Sequence, residues 1–150
     1  MSLPQSLAQL IKQATVLPDT IQSGENIDDR LEIYYDIRSW LESFDRLLHD
    51  HKWRSATNAL CMLGVDWADR PLVLGEYRDT FNDPTLVWLS QNQEVHNGLV
   101  AQILADHRHG LAAIKAYVRA DIRRLKAHQP PEIFAILPYA ERMLVWLEQV

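Results

Sequence analysis

Six histidines in 150 residues are the side chains in this sequence best suited to chemistry, and a metal centre is the chemistry they would perform. Helical proteins build di-iron sites from carboxylates and Glu-x-x-His pairs on facing helices. This sequence has no Glu-x-x-His. Its nearest substitutes are Asp106 with His109, three apart, and Asp45 with His49, four apart, each putting a carboxylate and an imidazole on one helical face. One such pair on each of two helices supplies too few ligands, so no metal ligand and no cofactor is assigned. His96 and His107 stand apart from the others. Eleven residues separate them, which places them on one side of a helix about 16 Å from each other, too far to share an ion. Together with Asn92 they read as polar inserts that set helix register within an apolar seam. A pH-sensitive partner surface is the alternative reading.

Nucleophilic and phosphate-binding signatures are absent from the sequence. The five glycines are scattered singly, and none precedes a Lys-Ser or Lys-Thr pair. Cys61, the one cysteine, sits among Leu60, Met62 and Leu63 and reads as a small buried hydrophobe. No catalytic residue is assigned, and the protein is expected not to be an enzyme. A formal charge of −5 argues against nucleic acid as a partner. The local run Arg119, Arg123, Arg124 and Lys126 falls toward a helix C-terminus, where cations complement the helix dipole. Without a charged-then-apolar leader or an apolar run of about 18 residues, the chain is expected to be cytoplasmic with no membrane span.

Helical periodicity must position whatever the protein binds. Apolar residues recur at three- and four-residue spacing, with no strand alternation, so the fold class is all-α: an antiparallel helical bundle or hairpin in one domain covering 1–150. An N-terminal helix is predicted over 3–17, with Pro4 near its start and Pro18 beyond its end. Asn26 with Asp29 signals the cap of a second helix running to about His49. A third should start near Asp50 and carry Trp53, Ala56, Leu60 and Leu63 on one face. The stretch 66–83 is interrupted by Pro71 and Gly75, with room for a short helix between them. Asn82 and Asp83 before Pro84 form the clearest helix start in the chain. From there no proline intervenes until Pro130, which predicts one very long helix over about 84–128, roughly 65 Å at 1.5 Å per residue. Gly98 and Gly110 leave room for a bend or break near either. A terminal helix is predicted over 138–149.

So long a rod cannot be buried from end to end in one small domain, which points toward binding. The residues assigned to partner binding are Trp53, Leu60, Leu63, Trp88, Asn92, Leu99, Ile103, Ile114 and Tyr117, lining an apolar groove between the long helix and the Trp53 helix. Of the five tryptophans, Trp40 and Trp53 fall on apolar faces and read as core. Trp88 and Trp146 are offset from their stripes and read as exposed anchors.

From Trp53 in the segment 51–63, through Asn92, to the pair Ala116-Tyr117, the chain resembles the FliT-type flagellar export chaperones over roughly residues 30–120. In that family a helical hairpin with an aromatic on its second helix leads into a long helix with a central asparagine, closing on Ala-Tyr. The resemblance implies a small cytoplasmic helical chaperone that keeps a flagellar or other type III export substrate soluble by gripping an amphipathic helix. The additional N-terminal helix and the continuation of the long helix past Tyr117 depart from the pattern. The expected partner is therefore a secreted or flagellar protein helix. The alternatives are a self-associating structural homodimer and a metal- or ligand-binding helical bundle.

Overall fold

The computed structural model describes residues 5–16, 29–63, 81–128 and 136–150. They form seven helices in chain order: α1 (Gln5–Ala14), α2 (Asp29–His49), α3 (Trp53–Leu63), α4 (Asp83–Gln91), α5 (Gln93–Ala105), α6 (Arg108–His128) and α7 (Ile136–Gln149). No strand occurs among the described residues, and the fold class is all-α. Asn26, the 66–80 stretch and the 131–135 turn lie outside the described residues. Pro138 falls in the first turn of α7, where a missing N–H leaves no helical bond unmade.

Helix α2 is the hub. Its stripe of Ile33, Tyr34, Ile37, Trp40, Leu41, Phe44 and Leu48 is buried, and α1, α3 and α4 all pack on it. The breadth of that stripe explains why it meets several neighbours, since a narrower one satisfies a single helix. On the other side of the molecule α6 packs between α3 and α7, burying Gly110, Ile114, Val118 and Ile122. Buried apolar side chains from all seven helices belong to one core cluster.

The stretch read from sequence as one rod over 84–128 is three helices, with no break near Gly98 and one just ahead of Gly110. The first break is Asn92, at φ −126° and ψ 40°, where its side-chain amide donates to the Trp88 carbonyl at 2.9 Å. Asparagine competes with the backbone for helical acceptors, which disfavours it in helix interiors. The second is Asp106–His107. Here Asp106 N–H and His107 N–H turn back to Ile103 and Leu104, three residues away, and α6 restarts with Leu111 N–H on the His107 carbonyl at 2.8 Å. The three pieces then pack on different partners, α4 on α2, α5 on α1 and α6 on α3 and α7.

The start of α4 is held from outside. Asn82 occupies the cap position, but its side chain makes no capping bond. Instead Asp36 of α2 accepts from the Asn82 N–H at 2.9 Å and from the buried Thr85 hydroxyl at 2.7 Å. One carboxylate thus satisfies an orphan helix donor and a buried hydroxyl together. Asp36→Ala is expected to lower stability by about 1–2 kcal/mol, and Asp36→Asn by less because it keeps an acceptor. Urea denaturation of the two variants checks this; equal losses would mean that the acceptor is not what matters.

The turn from α2 into α3 also has a specific geometry. Lys52 N–H reaches the Leu47 carbonyl at 2.9 Å and His51 N–H the Leu48 carbonyl at 3.2 Å, the pair of bonds of a Schellman cap. His51 takes the left-handed conformation there, φ 59°, at a position that usually falls to glycine, and its ring stacks on Trp53 with centroids 4.8 Å apart.

Candidate partner-binding groove

Where α1 crosses α5, an open groove of about 370 Å³ runs between them, lined by Leu10, Gln13 and Ala14 from α1 and Val95, Gly98, Leu99 and Gln102 from α5. It follows from the local sequence. In α1, Leu7 and Ile11 turn into the core, which leaves Leu10 and Ala14 partly covered on the flank. In α5, His96, Leu99, Val100, Ile103 and Leu104 are buried, while Val95 stays 44% exposed beside Gly98. A Cβ built on Gly98 would meet nothing within 4 Å, so the missing side chain leaves open space along the α5 side of the groove. The lining is apolar with two uncharged amides and no charged side chain, a composition suited to an apolar helix face and able to hold neither a metal nor an anion.

Two histidine contacts fix α5 beside α2. The Trp40 indole N–H donates to His96 Nε2 at 2.8 Å. That ring nitrogen is therefore unprotonated and the proton of the neutral imidazole sits on Nδ1, which is buried with no partner among the described residues. Burial pushes the His96 pKa down to about 4. At the far end of α5, His107 Nε2 lies 2.9 Å from Asp45 Oδ1. A carboxylate only accepts, so this nitrogen carries its proton. The reading of His96 as a polar insert in the core matches its position, and the carboxylate beside His107 is Asp45 of α2, which sequence had paired with His49. No three His, Cys, Asp or Glu side chains converge among the described residues.

The nine residues assigned from sequence are dispersed. Leu99 lines the groove; of the other eight, the seven whose side chains are described do not. Leu60, Ile103 and Ile114 are fully enclosed in the core, and the Leu63 side chain lies outside what is described. Trp88, expected as an exposed anchor, is only 8% exposed. The break at Asn92 is the reason, because it uncouples the stripe of α4 from that of α5 and leaves Thr85, Trp88 and Leu89 as the buried set. Trp146 is half-buried against the core. The seam expected to be open between the Trp53 helix and the long helix is closed: the Trp53 ring lies against the Gly110 backbone, and Arg54 grips Asp121 through two bonds of 3.1 and 2.9 Å. Tyr117, 37% exposed, has the Arg54 guanidinium 5.2 Å above its ring. Cys61 faces Met143 at 3.6 Å, and desolvation pushes its thiol up to about 12, which leaves it unreactive.

Leu10, Gln13, Ala14, Val95, Gly98 and Gln102 were missed from sequence. The one available signal was Gly98, a glycine inside a helical pattern with no cap to make, which marks a place where something approaches the backbone closely. Comparison with protein-family models, with curated proteins and with solved structures finds no match. No described helix is long and apolar enough to cross a membrane.

Proposed function

We propose that the protein is a non-enzymatic helical binding protein of the cytoplasm, which seats an amphipathic partner helix in the α1–α5 groove in the manner of a small export chaperone or adaptor. The observation that carries this reading is the groove itself: an apolar trough between two helices, open to solvent, with Gly98 leaving room along its α5 side. Helix-in-groove recognition needs that shape, with apolar anchors at three- and four-residue spacing on the incoming helix. The FliT-type resemblance of the sequence supports the same class, with a secreted or flagellar substrate helix as the guest. In this reading α1, which departs from that family's pattern, supplies one wall.

Gly98→Leu tests it. The Cβ of the new side chain enters open space and leucine is a far stronger helix former than glycine, so the fold should hold or gain slightly. Wild type and variant would be immobilised in parallel and exposed to a cytoplasmic extract of the source organism, with retained proteins identified by mass spectrometry. A helical client held by wild type and lost from a folded Gly98→Leu is the expected result. Identical retained sets would remove the groove from the function.

A further inference from the structure

Helix α6 concentrates charge of the sign opposite to that of the chain. Its six basic residues against the one carboxylate of Asp121 give it a formal +5, so the rest of the protein carries −10. Arg124 is engaged with Asp121 and Lys126 reaches Glu141 at 3.8 Å. Arg108, Lys115, Arg119 and Arg123 make no ion pair or hydrogen bond with any described residue. At about 100° per residue their spacings of seven, four and four place all four within about 80° of the helix circumference, along roughly 22 Å of its axis. Among them lie the exposed methyl groups of Ala112 and Ala116.

We propose that this face of α6 is a second docking surface, independent of the α1–α5 groove, and that its occupant is an acidic amphipathic helix of a partner protein. Charge complementarity selects an acidic guest, and carboxylates at four-residue spacing along a helix repeat every 6 Å or so, matching Lys115, Arg119 and Arg123. The alanines let a second helix axis approach to about 8 Å, the close end of helix packing, which a phosphate backbone has no use for. Nucleic acid fits less well. The arc holds no aromatic side chain on which a base could stack, since Tyr117 lies on the opposite side beneath Arg54. A membrane would need bulky apolar side chains beside the cations, and this face has only alanine.

The test is fluorescence polarisation on the full chain, using a labelled synthetic helix with an alanine-leucine stripe flanked by Glu at four-residue spacing and a twin with Gln in place of every Glu. The Glu peptide is expected to bind about tenfold more tightly than its twin, the effect of two or three exposed charge pairs. Arg119→Glu with Arg123→Glu should abolish the difference, with Arg119→Gln and Arg123→Gln as the milder pair if the reversal disturbs folding by circular dichroism. Equal affinity for both peptides, or a difference that survives in both folded double variants, overturns the proposal. So does tighter binding of a thymidine oligonucleotide or of phosphatidylserine vesicles than of the Glu peptide. Self-association of the wild type that is lost on reversal, read by sedimentation, gives the face to a second copy and overturns it as well. The two surfaces share no residue, so Gly98→Leu is expected to leave Glu-peptide binding unchanged, and either reading can fail without the other.

Discussion

Between pH 6.5 and 4 the fold is expected to lose about 3 kcal/mol of stability through His96 alone. The side chain is fully buried, its Nε2 accepts the Trp40 indole N–H at 2.8 Å, and burial sets its folded pKa at about 4 against 6.5 for a free imidazole. A folded pKa below the unfolded one means that the unfolded chain binds more protons through this window, so stability rises with pH. The contribution is whole above pH 6.5 and is lost as pH falls through the window to about 4. Chemistry gives the same sign. A protonated His96 would point an N–H at the Trp40 N–H, losing the bond and burying a charge without a partner. The shift has no charged cause: on α2, Asp36 is held by Asn82 and Thr85, Arg38 by Glu42 and Tyr34, and Asp45 by His107, and burial alone sets the value. Urea denaturation from pH 8 to 4 on wild type and His96→Gln isolates the effect, because glutamine keeps an acceptor for Trp40 and does not titrate. The two curves should differ in their acid loss by about 3 kcal/mol; parallel curves would show that His96 is not the acid-sensitive group.

Gly110→Ala is expected to destabilise by about 2 kcal/mol, although alanine is the better helix former. A Cβ there would sit 2.8 Å from Trp53 Cζ3, 3.3 Å from Trp53 Cε3 and 2.9 Å from Leu48 Cδ2. The leucine methyl can rotate away, whereas the rigid indole can yield only by giving up its stacking on His51 at the α2–α3 turn. Overpacking against a fixed ring costs about 1–3 kcal/mol and outweighs the roughly 1 kcal/mol gained in helix propensity. Gly98→Ala provides the internal control. It meets nothing within 4 Å and should gain up to about 1 kcal/mol, so the same substitution one helix apart changes sign. Thermal melts of the two variants decide it, and a Gly110→Ala more stable than wild type would mean that α6 does not close on Trp53 as described.

These two glycines also show how far the sequence could be read. Both interrupt an apolar helical pattern, and by propensity alone both mark a bend. One bend falls at Asn92, where a side-chain amide takes a helical carbonyl, and the other close to Gly110 at His107, which the distant Asp45 holds. The first signal is local and lay in the residue type. The second required a partner 62 residues away, which periodicity cannot supply. Local signals carried well elsewhere: the α2 stripe from Ile33 to Leu48, the start of α4 at Asp83 and the burial of Trp40 all follow from spacing and residue type. The cap of α4 was legible as a position but not as a mechanism, since the accepting carboxylate is Asp36 on another helix.

The groove was the least legible feature. A stripe predicts which residues leave water; it does not predict which neighbour covers them. Carried through one unbroken rod, the apolar pattern of 86–125 put Leu99, Ile103, Ile114 and Tyr117 on one wall. Breaking the rod twice sends Ile114 to the interface with α3 and α7 and leaves Leu99 facing α1. The charge on α6 was visible in sequence as a run complementing the helix dipole. Its arrangement as a row of cations became visible only once Asp121 was seen to take up Arg54 and Arg124, leaving Arg108, Lys115, Arg119 and Arg123 without a partner among the described residues.

The claim that a partner helix lies between α1 and α5 is tested most directly by photo-crosslinking in the source cell. A benzophenone amino acid would replace Gln102 on the groove rim, with the same label at exposed Val145 on α7 as the control. The predicted result is a discrete adduct from position 102 that disappears when Gly98→Leu is added, with none of the same mass from position 145. An adduct from 102 that persists in the Gly98→Leu background, or equal labelling from both positions, would contradict a guest in the groove.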